Sequence, residues 1–281
     1  MKETEEKVIV QHLESQRTFF ASNETKSISF RLEQLHKLKE VILTYQERIQ
    51  NALWDDLHKS PEEAYLTEIS IVLSEIDNHI KHLKRWAKRK RVTTPLYLRP
   101  SSSKIIYEPL GIALIVAPWN YPFQLLFNPL VGAISAGCCA ILKPSPDTPS
   151  VAKLMEEIIA KTFPTNYVAL VQGGKETNTH LFNQRFDLIF FTGSPKVGKV
   201  VMKAAAEHLT PVILELGGKS PCIVDKEANL DIAAKRIVFG KFINAGQTCI
   251  APDYLFAHHT IKYELLDKIA LHTKQMYGDD P

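Results

Sequence analysis

The chain has 281 residues, 45% hydrophobic, 23% charged and 9% aromatic, with a net charge of +3. That balance is globular and excludes a disordered, collagen-like or disulfide-stapled chain, and the length suits two domains. So small a positive surplus does not mark a nucleic-acid surface, and the longest apolar run, 111 to 119, falls far short of the roughly 20 residues that span a bilayer.

The opening residues MKETEEKVIV lack the charged and apolar regions of a secretory signal. The first ninety residues predict helices, with apolar positions at Leu32, Leu35, Leu38, Val41 and Leu43. Ser60-Pro61 is a helix opening: serine caps, and proline forfeits only an N–H that has no partner there. The cluster KHLKRWAKRKR at 81 to 91 reads as the solvated last turns of a helix, where cations favour the negative end of the dipole.

From residue 104 the rhythm changes. The segments 112–118, 139–144, 167–173, 187–193 and 211–216 are short apolar runs bounded by Gly or Pro, and predict strands buried on both faces. Helical patterns lie between them at 122–137, 148–163, 175–183 and 195–208. This alternation predicts crossover units and a parallel sheet covered on both sides. A strand at SPCIVD, a helix over 229–243, a strand near 253–257 and a helix from about 260 follow.

In such sheets ligands gather beyond the C-terminal strand ends. At DLIFFTGSPKVGKVV a strand runs into a helix capped by Ser194, with Pro195 in its first turn and Gly193 allowing close backbone approach. This is either a phosphate seat or an ordinary strand-to-helix turn. It is not a nucleoside triphosphatase loop, because Val200 stands where a metal-ligating hydroxyl is needed, and it lacks the three glycines of the common dinucleotide fingerprint. In ILKPSPD, Lys143 sits at a strand end, as a ligand's cation or a plain exposed lysine. In APWNYP, Asn120 follows Trp119, either as donor to a developing oxyanion or as a turn former. In LELGGKSP, Glu215 ends a strand, paired with a cation or raised in pKa to serve as a base.

In NAGQTCIAPDY, Cys249 lies between Gly246 and Pro252, an inert thiol or a nucleophile on a loop. The adjacent Cys138 and Cys139 do not form a secreted disulfide framework and point to a reducing compartment; with Cys222 they sit in apolar strands and read as core.

APWNYP, ILKPS, FTGSPKVG, LELGGKSP and GQTCIAPDY, in that order and spacing, resemble the aldehyde dehydrogenase superfamily over almost the whole chain. The last motif is most similar to the class 3 branch of fatty and aromatic aldehyde dehydrogenases. The resemblance implies an α/β fold in two parts. Residues 1–211 would be a helical segment with a Rossmann-type parallel-sheet cofactor domain, and 212–281 the first part of a second α/β catalytic domain. It implies oxidation of an aldehyde to an acid with NAD or NADP and no metal, with the full-length form a homodimer; the cysteine pattern adds the expectation of a cytoplasmic setting. Cys249 would be the nucleophile, Asn120 and the Cys249 N–H the oxyanion donors, and Glu215 the base that activates water. Gly193, Ser194, Val197 and Gly198 would lie against the pyrophosphate, Lys143 at the adenosine ribose, and Trp119 and Leu216 beside the nicotinamide half.

Two departures qualify this expectation. The family's carboxylate three residues after the KPS lysine is here Pro146, followed by Asp147, which lowers repulsion against a 2′-phosphate and predicts that NADP is tolerated. The chain also stops at Pro281 with no match to the family's E-[IV]-F-G-P motif. It therefore reads as C-terminally truncated, and a dinucleotide-binding fragment without turnover is the alternative expectation.

Overall fold

The computed structural model describes residues 3–279, and the chain separates into two compact units, 1–215 and 216–281. Residues 1–2 and 280–281, which open and close the two expected domains, lie outside the described residues. The boundary expected at 211/212 precedes a strand that the sheet of the first unit retains.

The first unit opens with helices α1 (Glu6–Ala21), α2 (Ile28–Thr44), α3 (Gln46–Leu57), α4 (Pro61–Ala64) and α5 (Ser70–Trp86). Leu35 and Leu38 of α2 are buried as their spacing predicts, but the stripe continues through Ile42, and Leu43 turns outward. Ser60 Oγ accepts the Glu63 N–H at 3.2 Å with Pro61 in the first turn, and between α4 and α5 the backbone widens into a π turn at Tyr65–Ile69. The basic cluster is not wholly a helix end. Helix α5 stops at Trp86, and Lys90 and Arg91 lie on β1 (Lys90–Val92), which pairs antiparallel with β2 (Ser103–Ile105).

Then follow β3 (Ile112–Val116), α6 (Gln124–Ala136), β4 (Cys139–Lys143), α7 (Pro149–Thr162), β5 (Val168–Leu170), α8 (Lys175–Phe182), β6 (Leu188–Gly193), α9 (Pro195–Ala206) and β7 (Val212–Leu216). Helix α6 runs through Pro129 without ending. The sheet order is β5-β4-β3-β6-β7, with β3–β4, β4–β5 and β3–β6 parallel. The chain therefore winds outward through β4 and β5, returns to the far side of β3, and reverses its direction between β3 and β6. That reversal is where open α/β sheets form their ligand crevice. Strands β3 and β4 are buried on both faces, as expected. Strand β7 is not: Ile213 and Glu215 are exposed while the residues alternating with them are half-buried, so one face of this strand is uncovered.

Helix α1 buries Ile9 and Leu13. Gln16, also on α1 and fully buried, donates to the carbonyls of Ala140 at 2.9 Å and Thr165 at 3.2 Å. The N-terminal segment is thus tied to the sheet by burial and by hydrogen bonds that would be costly to leave unmade.

In the second unit β8 (Ser220–Val224) and β9 (Pro252–Ala257) pair in parallel, accompanied by α10 (Leu230–Phe242) and α11 (Lys262–Tyr277). Val224, Ala234, Ile261 and Leu265 form its core. Successive strand residues alternate, so Ile223 (75% exposed), Tyr254 and Phe256 (59%) face away from it. Cys138 and Cys139 are buried as expected, whereas Cys222 is only half-buried at the margin of this small core.

Candidate active site

The loops after β3, β4 and β6 open at the same edge of the sheet, because Val116 pairs with both Lys143 and Phe191 at the C-terminal ends of parallel strands. The loop after β3 carries Trp119, 40% exposed, and Asn120, half-buried. The loop after β4 begins at Lys143, and β6 delivers Gly193 and Ser194 to the start of α9. Glu215 is exposed on the adjacent β7, one residue before the half-buried Leu216. The fold thus gathers Trp119, Asn120, Lys143, Gly193 and Ser194 around the reversal between β3 and β6.

Lys143 is no ordinary exposed lysine. It is 1% exposed, its ammonium donates to the Pro144 carbonyl at 2.7 Å, and burial pushes its pKa down to about 8 against the opposing pull of Glu3 and Asp147. Asp147 accepts from Ser145 Oγ at 3.2 Å and returns its own N–H to that hydroxyl. Across the neighbouring loop, Glu3 accepts from the N–H groups of Gly174 and Thr177, both at 2.9 Å, and from the Thr177 hydroxyl. Those bonds, at the start of α8, hold its carboxyl below the usual range.

Ser194 caps α9, its Oγ accepting the Val197 N–H at 3.3 Å, while Gly198 donates to the Ser194 carbonyl at 2.9 Å. Gly198 is buried and Val197 is 38% exposed. Gly193 owes its identity partly to packing, since a Cβ there would stand 2.6 Å from Cζ of Phe191. Beside it the buried Thr192 hydroxyl has no hydrogen-bond partner among the described residues, as is also true of Thr25 and Thr148. The exposed start of α9, capped by Ser194, suits the anionic part of a dinucleotide.

Cys249 belongs to the second unit and is exposed. Just before it, Asn244 (φ 56°), Ala245 (φ 51°) and Gly246 (φ 78°) are all left-handed, a run that alanine and asparagine adopt only at some cost. Gln247 locks the turn, donating its N–H at 3.0 Å and its side-chain amide at 3.1 Å to the Asn244 carbonyl. Gly218 is a residue the sequence motifs did not single out: a Cβ on it would lie 2.6 Å from the Cys249 carbonyl oxygen. The Gly-Gly pair after β7 was the available signal. Asp253, three residues after Ile250, is held by Lys219 at 2.9 Å and Lys241 at 3.8 Å.

The aldehyde dehydrogenase family model matches residues 2–281. The 4,4'-diaponeurosporen-aldehyde dehydrogenase of Staphylococcus aureus is 50% identical over 273 residues, 97% of this chain and 60% of that protein. The dimeric NADP-preferring aldehyde dehydrogenase of Rattus norvegicus is 44% identical over 264 residues, 94% and 58% of the two chains. Aldehyde dehydrogenase family 3 comG of Dictyostelium discoideum is 43% identical over 265 residues, 94% and 56%. The substrate-bound structure of Staphylococcus aureus AldH superposes with a TM-score of 0.94 at 50% identity, over 97% of this chain and 59% of that one. The chain therefore spans about 60% of the length of the relatives it matches. On its motifs, its sheet and these matches, the chain belongs to the aldehyde dehydrogenase family and is most like its class 3 members.

Proposed function

We propose that this chain oxidises an aldehyde to a carboxylic acid with NAD or NADP, through a covalent intermediate on Cys249. The observation that carries the reading is the convergence of Trp119, Asn120, Lys143 and Ser194 at one sheet edge, in a chain whose family is established. The Cys249 thiolate attacks the carbonyl carbon, and the oxygen, now negative, accepts from the Asn120 side-chain amide and the Cys249 N–H. When bound, the dinucleotide supplies the acceptor for the hydride lost from the aldehyde carbon. Glu215 then takes a proton from water, whose oxygen attacks the thioester and releases the acid and the Cys249 thiolate. Ser194, Val197 and Gly198 seat the pyrophosphate at the start of α9, and Lys143 holds the ribose.

Pro146 in place of a ribose carboxylate, and a relative named NADP-preferring, support use of NADP as well as NAD. A homodimer is supported by the word dimeric in that relative's name, and a cytoplasmic setting accords with four free cysteines. No helix among the described residues is long and apolar enough to cross a membrane. A second reading, dinucleotide binding without turnover, is favoured by the exposure of Cys249 and Glu215, since catalysis of this kind excludes bulk water. The test is reduced-nicotinamide formation by the 281-residue chain with medium-chain and aromatic aldehydes, beside Cys249→Ala. Turnover lost in the variant supports oxidation; cofactor binding with no turnover in either supports the second reading.

A further inference from the structure

Asn120 sits in the segment that joins β3 to α6, and the far end of that segment is gripped by two residues from the helical N-terminal region. Helix α6 begins at Gln124 with no side-chain cap of its own, since Phe123 precedes it. Its first N–H groups are instead taken by Glu68, whose Oε2 accepts from Phe123 N at 2.8 Å and Gln124 N at 3.1 Å. The other carboxylate oxygen accepts from Lys59 Nζ at 2.6 Å. That ammonium also stands 4.5 Å from the centre of the Tyr121 ring, so the residue next to Asn120 is held from its other side.

Both side chains are sealed from water, Lys59 at 2% and Glu68 at 0% exposure. Burying two charges is costly unless geometry and extra hydrogen bonds compensate, and a pair kept in spite of that cost is better explained by specificity of placement than by stability. Glu68 reaches the N-terminus of α6 from the π turn at Tyr65–Ile69, a feature that concentrates near functional sites because its added residue redirects one side chain.

We propose that Lys59 and Glu68 form a positioning pair that fixes the 117–123 loop so that the Asn120 amide is aimed at the developing oxyanion. The inference rests on the role given to Asn120 above. Neither residue touches the reacting atoms; they act through the α6 cap and Tyr121. Displacement of a donor by about an ångström is enough to cost up to about a hundredfold in rate, so a partial loosening predicts about a tenfold loss.

The test compares the 281-residue chain with Glu68→Gln and with Lys59→Met/Glu68→Gln, which removes both charges together and guards against a fold lost to one unpaired charge. Each is made with Asn120 intact and in an Asn120→Ala background, with hexanal as aldehyde. Expected are a kcat about tenfold lower, a dinucleotide Kd within about twofold of the parent, and faster amide exchange confined to 117–128. In the Asn120→Ala background the further loss disappears, because there is no amide left to aim. An equal loss in both backgrounds, or an unchanged kcat, overturns the proposal. If the parent chain turns over no aldehyde, the oxidation reading fails separately, and amide exchange still decides: faster exchange that extends through the 117–123 loop supports the clamp, and exchange unchanged or altered only at Phe123 and Gln124 overturns it.

Discussion

Lys143 sits where a charge is least welcome, at the end of a fully buried strand with one carbonyl partner. Its pKa is lowered in the fold, to about 8 from 10.5, so the unfolded chain binds more protons between those values and stability rises with pH across that window. Lys143→Met is therefore expected to stabilise the chain near neutral pH, by on the order of 2 kcal/mol, with the advantage fading from about pH 8 to about 10.5. Denaturant midpoints of both proteins across that range check it; a constant difference would contradict it. The thiols make a second case. Cys249 is exposed while Cys138 and Cys139 are buried, and burial pushes Cys139 up to about 12. Iodoacetamide on the native chain should label Cys249 fastest, and Cys139 only after unfolding, as peptide mapping would show. The motif residues were legible because each lies within three positions of a Gly, Pro or Ser that punctuates its loop. Glu68 was not, because what defines it is a partner distant in the sequence, Phe123, 55 positions on; Gly218 carried a signal in its Gly-Gly pair, but not its reason, the nearness of the Cys249 carbonyl.

Among the elements, those that announce themselves locally were readable. Ser194-Pro195 and Ser60-Pro61 open helices with the bonds their chemistry predicts, and β3 and β4 are as buried as their unbroken apolar runs require. The exposure of β7 was illegible, because an apolar run does not say whether both faces of its strand are covered; the π turn likewise depends on what Glu68 must reach. Asn229 caps α10, its Oδ1 accepting the Ile232 N–H at 3.1 Å, so Asn229→Ala should cost about 1 kcal/mol by denaturant unfolding. Helices α3 and α7 are joined by Arg48 and Glu157, at 2.6 and 2.7 Å, with the Tyr45 hydroxyl also donating to Glu157. Arg48, then Tyr45, hold the Glu157 carboxyl down to about 2. A depressed carboxylate contributes stability above its ordinary range and loses it as pH falls through the folded value. The melting-temperature gap between parent and Glu157→Gln should therefore be small, since both partners are about half exposed, and should close between about pH 4.5 and 2. A gap that widened on acidification would refute this account.

For the molecule as a whole, alternating strands and helices were enough to foresee a parallel sheet, but not the order in which its strands lie. The reversal beside β3, which decides where ligands gather, is a product of topology. The second unit shows a different consequence of its few strands: Ile223, Tyr254 and Phe256 stay uncovered on one face of a two-stranded pair. An apolar patch of that kind promotes association, so Ile223→Lys with Phe256→Lys should lower light scattering at high concentration without lowering the melting temperature. The ties of the N-terminal segment bear on synthesis. Ile9 and Leu13 are made first, yet the strand whose Ala140 carbonyl anchors α1 is made more than a hundred residues later, and Thr177, which Glu3 holds, later still. A nascent chain must carry that apolar stripe unpaired while most of the first unit is translated, which makes α1 the natural early client of chaperones at the ribosome exit.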